Sequence, residues 1–238
     1  MAISTTRRSN PLTRRNLLGG GLAVSALGLA GCGAAPRLAL FRPRRDPALA
    51  APHPSSGLYG EIYGARQDQG FLIPAVDLAG IEPQFLRQLV QYATSEPVGT
   101  IIVDTANRYL FLVQEAGTAI RYGVGIGKDG FAWNGRARVQ WKQQWPKWTP
   151  PDDMIARKPE LAQFSADNGG MPPSLENPLG ARALYIFKDG IDTLYRIHGT
   201  PEYWSIGKAV SSGCVRMMHQ DVIDLYDRVP AGTPVVVL

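Results

Sequence analysis

The amino-acid sequence predicts a mainly β domain over residues 95–238, with a mixed but mostly antiparallel sheet or sandwich and a few short helices. From Gly99 onward, three runs rich in β-branched and aromatic residues are separated by short turns, which is typical of a β-meander. An Asp-Gly pair at 189–190 lies between two further runs and is a strong hairpin signal. The 26 glycines and 19 prolines among 238 residues give the turn-rich composition of such a fold. The meander runs span residues 100–104, 109–114 and 119–125, and the hairpin runs span 183–187 and 193–198.

The remaining elements are few. Apolar spacing predicts one helix over residues 221–228, and the apolar run 234–238 predicts a last strand. Residues 61–94 are expected to form an N-terminal extension that packs against the domain, with a helix over residues 83–92. The helix predictions rest on Val222, Ile223, Leu225 and Tyr226, and on Phe85, Leu86, Leu89 and Tyr92.

An irregular stretch, residues 128–180, separates the meander from the hairpin and holds four of the five tryptophans. A long insertion with little regular pattern is often functional. Alternatively, the tryptophans fill a small core of their own, and the sequence favours neither interpretation. These four are Trp133, Trp141, Trp145 and Trp148.

The first 31 residues have the form of a bacterial export signal. Arg14-Arg15 precede a short apolar stretch rich in glycine and alanine, which resembles a twin-arginine signal. The stretch ends in Leu29-Ala30-Gly31-Cys32, which resembles a lipobox, where the cysteine is acylated and becomes the new N-terminus. We therefore expect export to the cell envelope or periplasm, a membrane anchor of lipid on Cys32, and a flexible tether over residues 32–60. The alternatives are a plain signal peptide and a transmembrane anchor, for which the apolar run is short.

The positive charge of the chain belongs mostly to this signal. The formal net charge is +5, and residues 1–31 contain four arginines and no acidic residue. Without them, 21 basic and 20 acidic residues remain. A nearly neutral domain lacks the basic surface that nucleic acid requires, so no nucleic-acid partner is predicted.

His198 and Cys214, sixteen positions apart, are the candidate reactive residues. His198 ends a predicted strand, and Cys214 follows Ser211-Ser212-Gly213, a small-residue turn that can expose backbone N–H groups. An imidazole can take the thiol proton so that sulfur attacks a carbonyl, and turn N–H groups can hold the oxyanion. Arg216 could orient the turn or bind a substrate carboxylate. Taken alone, one cysteine and one histidine are more often structural residues of a core.

The longer pattern is more specific. His198-Gly199-Thr200, the segment Ser-Ser-Gly-Cys-Val-Arg-Met at 211–217 and Asp221 resemble the signature of the L,D-transpeptidases, which carry a YkuD-type catalytic domain. The resemblance extends in outline from Gly99 to Leu238.

This resemblance implies a role for each matched residue. Cys214 would be the nucleophile, His198 would activate it, and the carbonyl of Gly199 would orient the imidazole. The turn Ser211-Ser212-Gly213 would position substrate, with backbone groups of Gly213 and Cys214 as the oxyanion hole. Ser212 stands where many family members have histidine, so no side-chain role is carried over to it.

The resemblance also implies the reaction. Cys214 would attack the diaminopimelate–D-Ala bond of a peptidoglycan stem tetrapeptide, release D-Ala, and pass the acyl group to an amine of another stem or of an envelope lipoprotein. Water as acceptor would give an L,D-carboxypeptidase or hydrolase. Such covalent catalysis needs no metal and no cofactor. Two alternatives are a zinc hydrolase using His198, Cys214 and His219 with Asp221 nearby, and a non-catalytic wall-binding lipoprotein.

Overall fold

The computed structural model describes residues 57–127, 134–211 and 213–238. The predicted signal peptide with Cys32, the tether up to residue 56, Trp133 and Ser212 lie outside the described residues. The strands are β1 (Arg66–Asp68), β2 (Phe71–Ile73), β3 (Gln88–Gln91), β4 (Ile101–Asp104), β5 (Tyr109–Val113), β6 (Thr118–Gly123), β7 (Ile126–Gly127), β8 (Gly135–Gln144), β9 (Arg182–Lys188), β10 (Ile191–Gly199), β11 (Ala209–Ser211), β12 (Val215–Met217) and β13 (Pro234–Val237). The α-helices are α1 (Gly57–Tyr63), α2 (Asp152–Arg157) and α3 (His219–Arg228), and 3-10 turns lie at Leu78–Gly80, Pro83–Phe85, Pro159–Phe164 and Tyr203–Ser205.

Nine strands form one sheet in the order β12-β10-β9-β8-β13-β4-β5-β6-β3, while β1 pairs with β2 and β7 with β11. In the large sheet, β10–β12 and β13–β4 are parallel and the other neighbours are antiparallel. The predicted mainly β fold, with a mixed and mostly antiparallel sheet and few short helices, is confirmed. Among the described residues, no helix has the length and apolar character needed to span a membrane.

The hairpin turn matches its sequence signal. Lys188 pairs with Ile191, so only two residues connect β9 and β10. Asp189 and Gly190 have φ of 52° and 79°. Two positive values are what a type I′ turn requires, and Asp-Gly accommodates them at low cost.

The predicted helix over residues 83–92 is wrong. One 3-10 turn, Pro83–Phe85, leads into β3, which pairs antiparallel with β6. Leu89 is 69% exposed, so it does not share a buried helical face with Phe85. The edge of β6 offers unpaired backbone groups, and pairing with them outweighs the local helical spacing.

The insertion contains regular structure that the sequence analysis did not predict. β8 is ten residues long and joins β9 to β13 in the middle of the sheet. Ala137, Val139 and Trp141 alternate with polar residues along β8, and Ala137 and Val139 are buried, so part of the strand does carry a period-2 pattern. Residues 57–60, predicted as the end of the tether, instead begin α1, where Tyr59 is buried.

Residues 57–91 pack on the sheet domain through apolar and charged contacts. The carboxylate of Asp68 accepts two hydrogen bonds from the buried guanidinium of Arg182, at 2.7 and 2.9 Å, and one from the Trp145 indole at 2.7 Å. The Tyr63 hydroxyl donates to the buried carboxylate of Asp221 at 3.2 Å. The apolar cluster consists of Tyr59, Tyr63, Ile81, Phe85, Leu86, Ile206 and Met218.

Candidate active site

Two parallel neighbouring strands bring His198 and Cys214 to one face of the sheet. On β10 and β12, Ile197 lies opposite Val215 and His198 opposite Arg216. Ile197 and Val215 are core residues, so His198 and Arg216, one position further on, point to the other face. Cys214 directly precedes β12, and it lines the same cleft as His198 and Arg216.

The imidazole of His198 is buried and fixed by the residue that follows it. Nδ1 lies 2.6 Å from the carbonyl oxygen of Gly199. Because a carbonyl oxygen only accepts, Nδ1 carries the hydrogen and Nε2 keeps its lone pair. Burial lowers the pKa of His198 to about 4, and the positive charges of Arg216 and Arg196 lower it further. The carbonyl groups of Gly199 and Pro178 act in the opposite direction and raise the pKa, but by less. The ring is therefore neutral at pH 7 and can accept a proton.

Backbone groups of β10 surround the sulfur of Cys214. Although the residue as a whole is partly exposed, Sγ lies in a desolvated position, where it donates to the carbonyl oxygen of Leu194 at 3.9 Å. Burial raises the pKa of the Cys214 thiol, and the backbone N–H of Arg196 and the charges of Arg196 and Arg216 oppose this shift without overcoming it. With its pKa raised, Cys214 is a thiol at neutral pH, in the same cleft as the neutral imidazole of His198.

A bulge in β10 creates these sulfur contacts. The pairing of β10 with β9 shifts between Asp192 and Arg196, and Leu194 within the shift has φ of 61°. The Asp192 carboxylate accepts from the Leu194 N–H at 2.9 Å and from the Arg196 guanidinium at 2.7 and 2.8 Å. These three hydrogen bonds offset the cost of the left-handed backbone at a non-glycine residue.

The turn before Cys214 requires a glycine. Gly213 has φ of 122°, and a Cβ placed on it would come within 3.0 Å of the Tyr195 ring. Ser211 ends β11, which pairs with β7. The roles assigned to Ser211, Ser212 and the Gly213 backbone in substrate and oxyanion binding stay predictions.

The cleft beside His198 and Cys214 has a volume of about 590 Å³. One of its walls comes from the insertion. Trp148 lines the cleft, whereas Trp145 is buried in a small core and Trp141 is partly exposed on β8. Arg216 and Glu202 also line the cleft and form a 2.6 Å ion pair with each other. The other lining residues are Met154, Lys158, Leu161, Phe164, Met171, Glu176, Pro178, Leu179, Thr200 and Pro201.

His219 and Asp221 do not line this cleft. His219 Nδ1 accepts from the Ala181 N–H at 3.3 Å, and its ring fills a niche next to Gly180 and Gly199, where a Cβ would come within 2.5 and 2.9 Å of it. Asp221 binds Tyr63, as described above. In the described part of the chain, no three His, Cys, Asp or Glu side chains are grouped as metal ligands. The geometry therefore does not favour the zinc alternative.

Sequence reasoning missed the contributions of Leu194, Arg196 and Glu202 to the site. Leu194 and Arg196 lie four and two positions before His198 on β10, but the bulge that directs their backbone to Cys214 has no sequence signature. Glu202 follows Thr200-Pro201, directly after the strand that carries His198. A carboxylate so close to the candidate base was the one sequence signal for a further charged residue at the site.

The pH dependence of Cys214 reactivity follows from its raised pKa. Alkylation by iodoacetamide consumes thiolate, so we expect its rate to rise about tenfold per pH unit from neutrality up to the thiol pKa. The rate is measured by mass spectrometry of the peptide that contains Cys214. A rate that stays flat around neutrality would instead indicate that His198 already holds the thiolate.

The model of the L,D-transpeptidase catalytic domain, YkuD, matches residues 99–237. The chain is 33% identical over 141 residues to the probable L,D-transpeptidase ErfK/SrfK and 34% identical over 139 residues to the probable L,D-transpeptidase YbiS, both of Escherichia coli strain K12. Each match covers 58% of this chain and 43% of the relative, so the chain spans less than half the length of these curated relatives.

Among solved structures, the chain is similar to a probable carnitine operon oxidoreductase, CaiA, from Brucella melitensis, at 45% identity. That match covers 68% of this chain and 99% of the other, with a TM-score of 0.46. The reaction in that name describes the Brucella protein only. The YkuD match, by contrast, covers more than half of the chain and includes His198, Cys214 and Arg216. This chain belongs to the family of L,D-transpeptidases with a YkuD catalytic domain.

Proposed function

We propose that the protein is a cysteine-dependent acyltransferase that acts on peptidoglycan stem peptides. Cys214 attacks the carbonyl of the diaminopimelate–D-Ala bond in a stem tetrapeptide, and D-Ala leaves. The observation that carries this proposal is the placement of Cys214 and a neutral, tautomer-fixed His198 on one sheet face, in one cleft.

The first step begins from neutral partners. Nδ1–H of His198 is held by Gly199, so Nε2 is the basic atom. The S–H bond turns from the Leu194 carbonyl towards Nε2, which takes the proton as Sγ bonds to the substrate carbon. The imidazolium then gives this proton to the nitrogen of the departing D-Ala, and a thioester remains on Cys214. Backbone N–H groups of Gly213 and Cys214 would hold the oxyanion between these events.

The second step resolves the thioester with an amine. An amine of another stem gives a 3-3 cross-link, and an amine of an envelope lipoprotein gives protein attachment. The amine loses its proton to His198 Nε2, and the Cys214 sulfur leaves as thiol. With water in place of the amine, the same site acts as an L,D-carboxypeptidase.

The ion pair of Arg216 and Glu202 suits the diaminopimelate side chain. That side chain ends in a D-centre with one ammonium and one carboxylate group on the same carbon. Arg216 and Glu202 present the complementary charges 2.6 Å apart, on the wall of the cleft that contains Cys214. A guanidinium can bind a carboxylate through two parallel hydrogen bonds, which adds directional selectivity.

We further propose that the protein is exported to the cell envelope and anchored through lipid on Cys32. The support is the order of Arg14-Arg15, a short apolar stretch and Leu29-Ala30-Gly31-Cys32. Anchoring in the envelope would place the cleft where stem peptides are accessible. Intact-mass analysis of membrane-extracted protein tests this, because acylated Cys32 adds mass that Cys32→Ala removes.

The reaction is tested with defined tetrapeptides that end in diaminopimelate–D-Ala. We expect mass spectrometry to show release of D-Ala, together with cross-linked product when an amine acceptor is present or tripeptide when only water is. If Cys214 is readily alkylated and yet no D-Ala is released, the chain has an accessible thiol without acyl-transfer activity. That outcome would favour the wall-binding alternative.

A further inference from the structure

A row of side chains crosses four strands and ends at the nucleophile. Trp141 on β8 lies opposite Tyr185 on β9, and Tyr185 lies opposite Arg196 on β10. On β10 and β12, Ile197 lies opposite Val215. Arg196 and Cys214 each precede one of these two residues, so they are neighbours across the two parallel strands. The row therefore runs Trp141, Tyr185, Arg196, Cys214, on the sheet face that also carries His198.

Three members of this row are stacked on one another. The rings of Trp141 and Tyr185 are 3.5 Å apart between centroids and inclined by only 8°. The Arg196 guanidinium lies over the Tyr185 ring at 4.5 Å from its centroid, and Asp192 holds that guanidinium in place. The indole is thus held in its orientation by stacking on Tyr185, which in turn is held by Arg196.

Trp141 is the exposed end of the column. It is 43% exposed, whereas Tyr185 is buried and Arg196 is mostly so. Because Tyr185 covers one face of the indole, the exposed surface belongs to its other face and edge. Neither Trp141, Tyr185 nor Arg196 lines the cleft that contains Cys214, so this surface is separate from that cleft.

We propose that Trp141 is a stacking site for an amino-sugar ring of the glycan strand that carries the stem peptide. This inference rests on the proposed peptidoglycan substrate. Pyranose rings present a face of C–H groups, which packs on the electron-rich face of an aromatic ring. The Trp141 indole is already held parallel to the Tyr185 ring, so binding a sugar costs little side-chain conformational entropy.

The distance fits the chemistry of the substrate. Neighbouring strands are about 4.8 Å apart, so three strand steps place Trp141 about 14 Å from Cys214. In a tetrapeptide that loses its fourth residue, three residues connect the attacked carbonyl to the sugar. Three extended residues span about 10–11 Å, and the lactyl link adds the remainder. A sugar on the stem bound at Cys214 therefore reaches Trp141.

The first test measures binding without catalysis. Full-length Cys214→Ala protein is titrated with the disaccharide of N-acetylglucosamine and N-acetylmuramic acid, and binding is followed by NMR of the ligand. We expect Trp141→Thr to weaken binding about tenfold, which is about 1.4 kcal/mol. Trp141→Phe should retain most of the affinity, since it keeps a stacking ring. Leu89→Thr, a change at an exposed apolar residue on the edge strand β3, should have no effect.

The second test uses turnover to identify which sugar is bound. In one arm the donor tetrapeptide carries the disaccharide or lacks it, and D-Ala release is measured. In the other arm the acceptor carries the disaccharide or lacks it, and cross-linking is measured. We expect a preference of about tenfold in kcat/KM for the sugar-bearing donor, and Trp141→Thr should abolish this preference while leaving the rate with free peptide unchanged. The melting temperature of each variant is compared with that of wild type, to confirm that the fold is intact.

The outcomes separate this proposal from the proposed reaction. If free peptide is turned over but the disaccharide neither binds nor accelerates release, the stacking site is wrong and the reaction stands. If no peptide releases D-Ala but the disaccharide binds through Trp141, the reaction is wrong and the sugar site stands. A preference confined to the acceptor arm would overturn the assignment to the donor strand.

Discussion

Replacement of Cys214 by alanine will abolish release of D-Ala from stem tetrapeptides, with a loss of at least about 10³-fold in kcat. The change removes the sulfur that forms the thioester in the cleft, and it costs little packing because the residue is partly exposed. Circular dichroism and the melting temperature should remain those of wild type. Substantial turnover by the folded variant would refute the assignment of the nucleophile.

His198→Ala should be nearly as damaging, because without Nε2 the thiol has no base beside it. The double variant should be little worse than either single variant, since the two residues act as one unit. His219→Asn is the matched control among the described residues. Its Oδ1 can replace Nδ1 as acceptor of the Ala181 N–H, so we expect near wild-type turnover. A large loss there would revive the metal-dependent alternative.

Replacement of Asp68 by alanine will lower the free energy of unfolding by about 3–5 kcal/mol, because it leaves the buried charge of Arg182 unpaired. Arg182 is only 3% exposed, and Asp68 supplies two of its hydrogen bonds. Urea denaturation followed by fluorescence measures the loss. A change below about 1 kcal/mol would show that water reaches Arg182 and replaces the carboxylate.

The dependence of this stabilisation on pH has a definite sign. Burial opposes ionisation of Asp68, but hydrogen bonds from Arg182 and Trp145 outweigh it and hold the pKa of Asp68 below its usual value. The contribution is therefore present above the ordinary aspartate pKa of about 3.9 and is lost as pH falls through the lower folded value. Asp153→Ala is the matched control. Its pair with Arg157 is exposed on both sides and should contribute less than about 0.5 kcal/mol.

The parts of the fold that the sequence predicted are those encoded by neighbouring residues. The Asp189-Gly190 turn, the meander strands and the last helix all have local signals, and the structure contains each of them. The short motifs around His198 and Cys214 predicted that the two residues act together, and the structure places both in one cleft. For β8 the local signal is short, an alternation of Ala137, Val139 and Trp141 with polar residues, and its partners on both sides come from distant parts of the chain.

The missed features depend on contacts between residues far apart in sequence. Asp68 and Arg182 are 114 positions apart, and nothing around either residue indicates the other. The extension was expected to pack on the domain, but not to supply the counter-ion of a buried arginine. Likewise, residues 83–92 do have apolar residues at helical spacing, but residues 88–91 form a strand because they pair with the edge of β6.

The parallel pairing of β10 with β12 has a consequence for how this enzyme can change. The geometry of the reactive pair depends on the strand register, in which His198 lies opposite Arg216, and not on the length of chain between Gly199 and Val215. A slip of one residue would turn Cys214 into the core, so the register is intolerant of change. The connecting segment is constrained at some positions, because Glu202 pairs with Arg216 and β11 pairs with β7. Exposed positions between these two, such as Trp204, can in contrast be substituted without moving either strand.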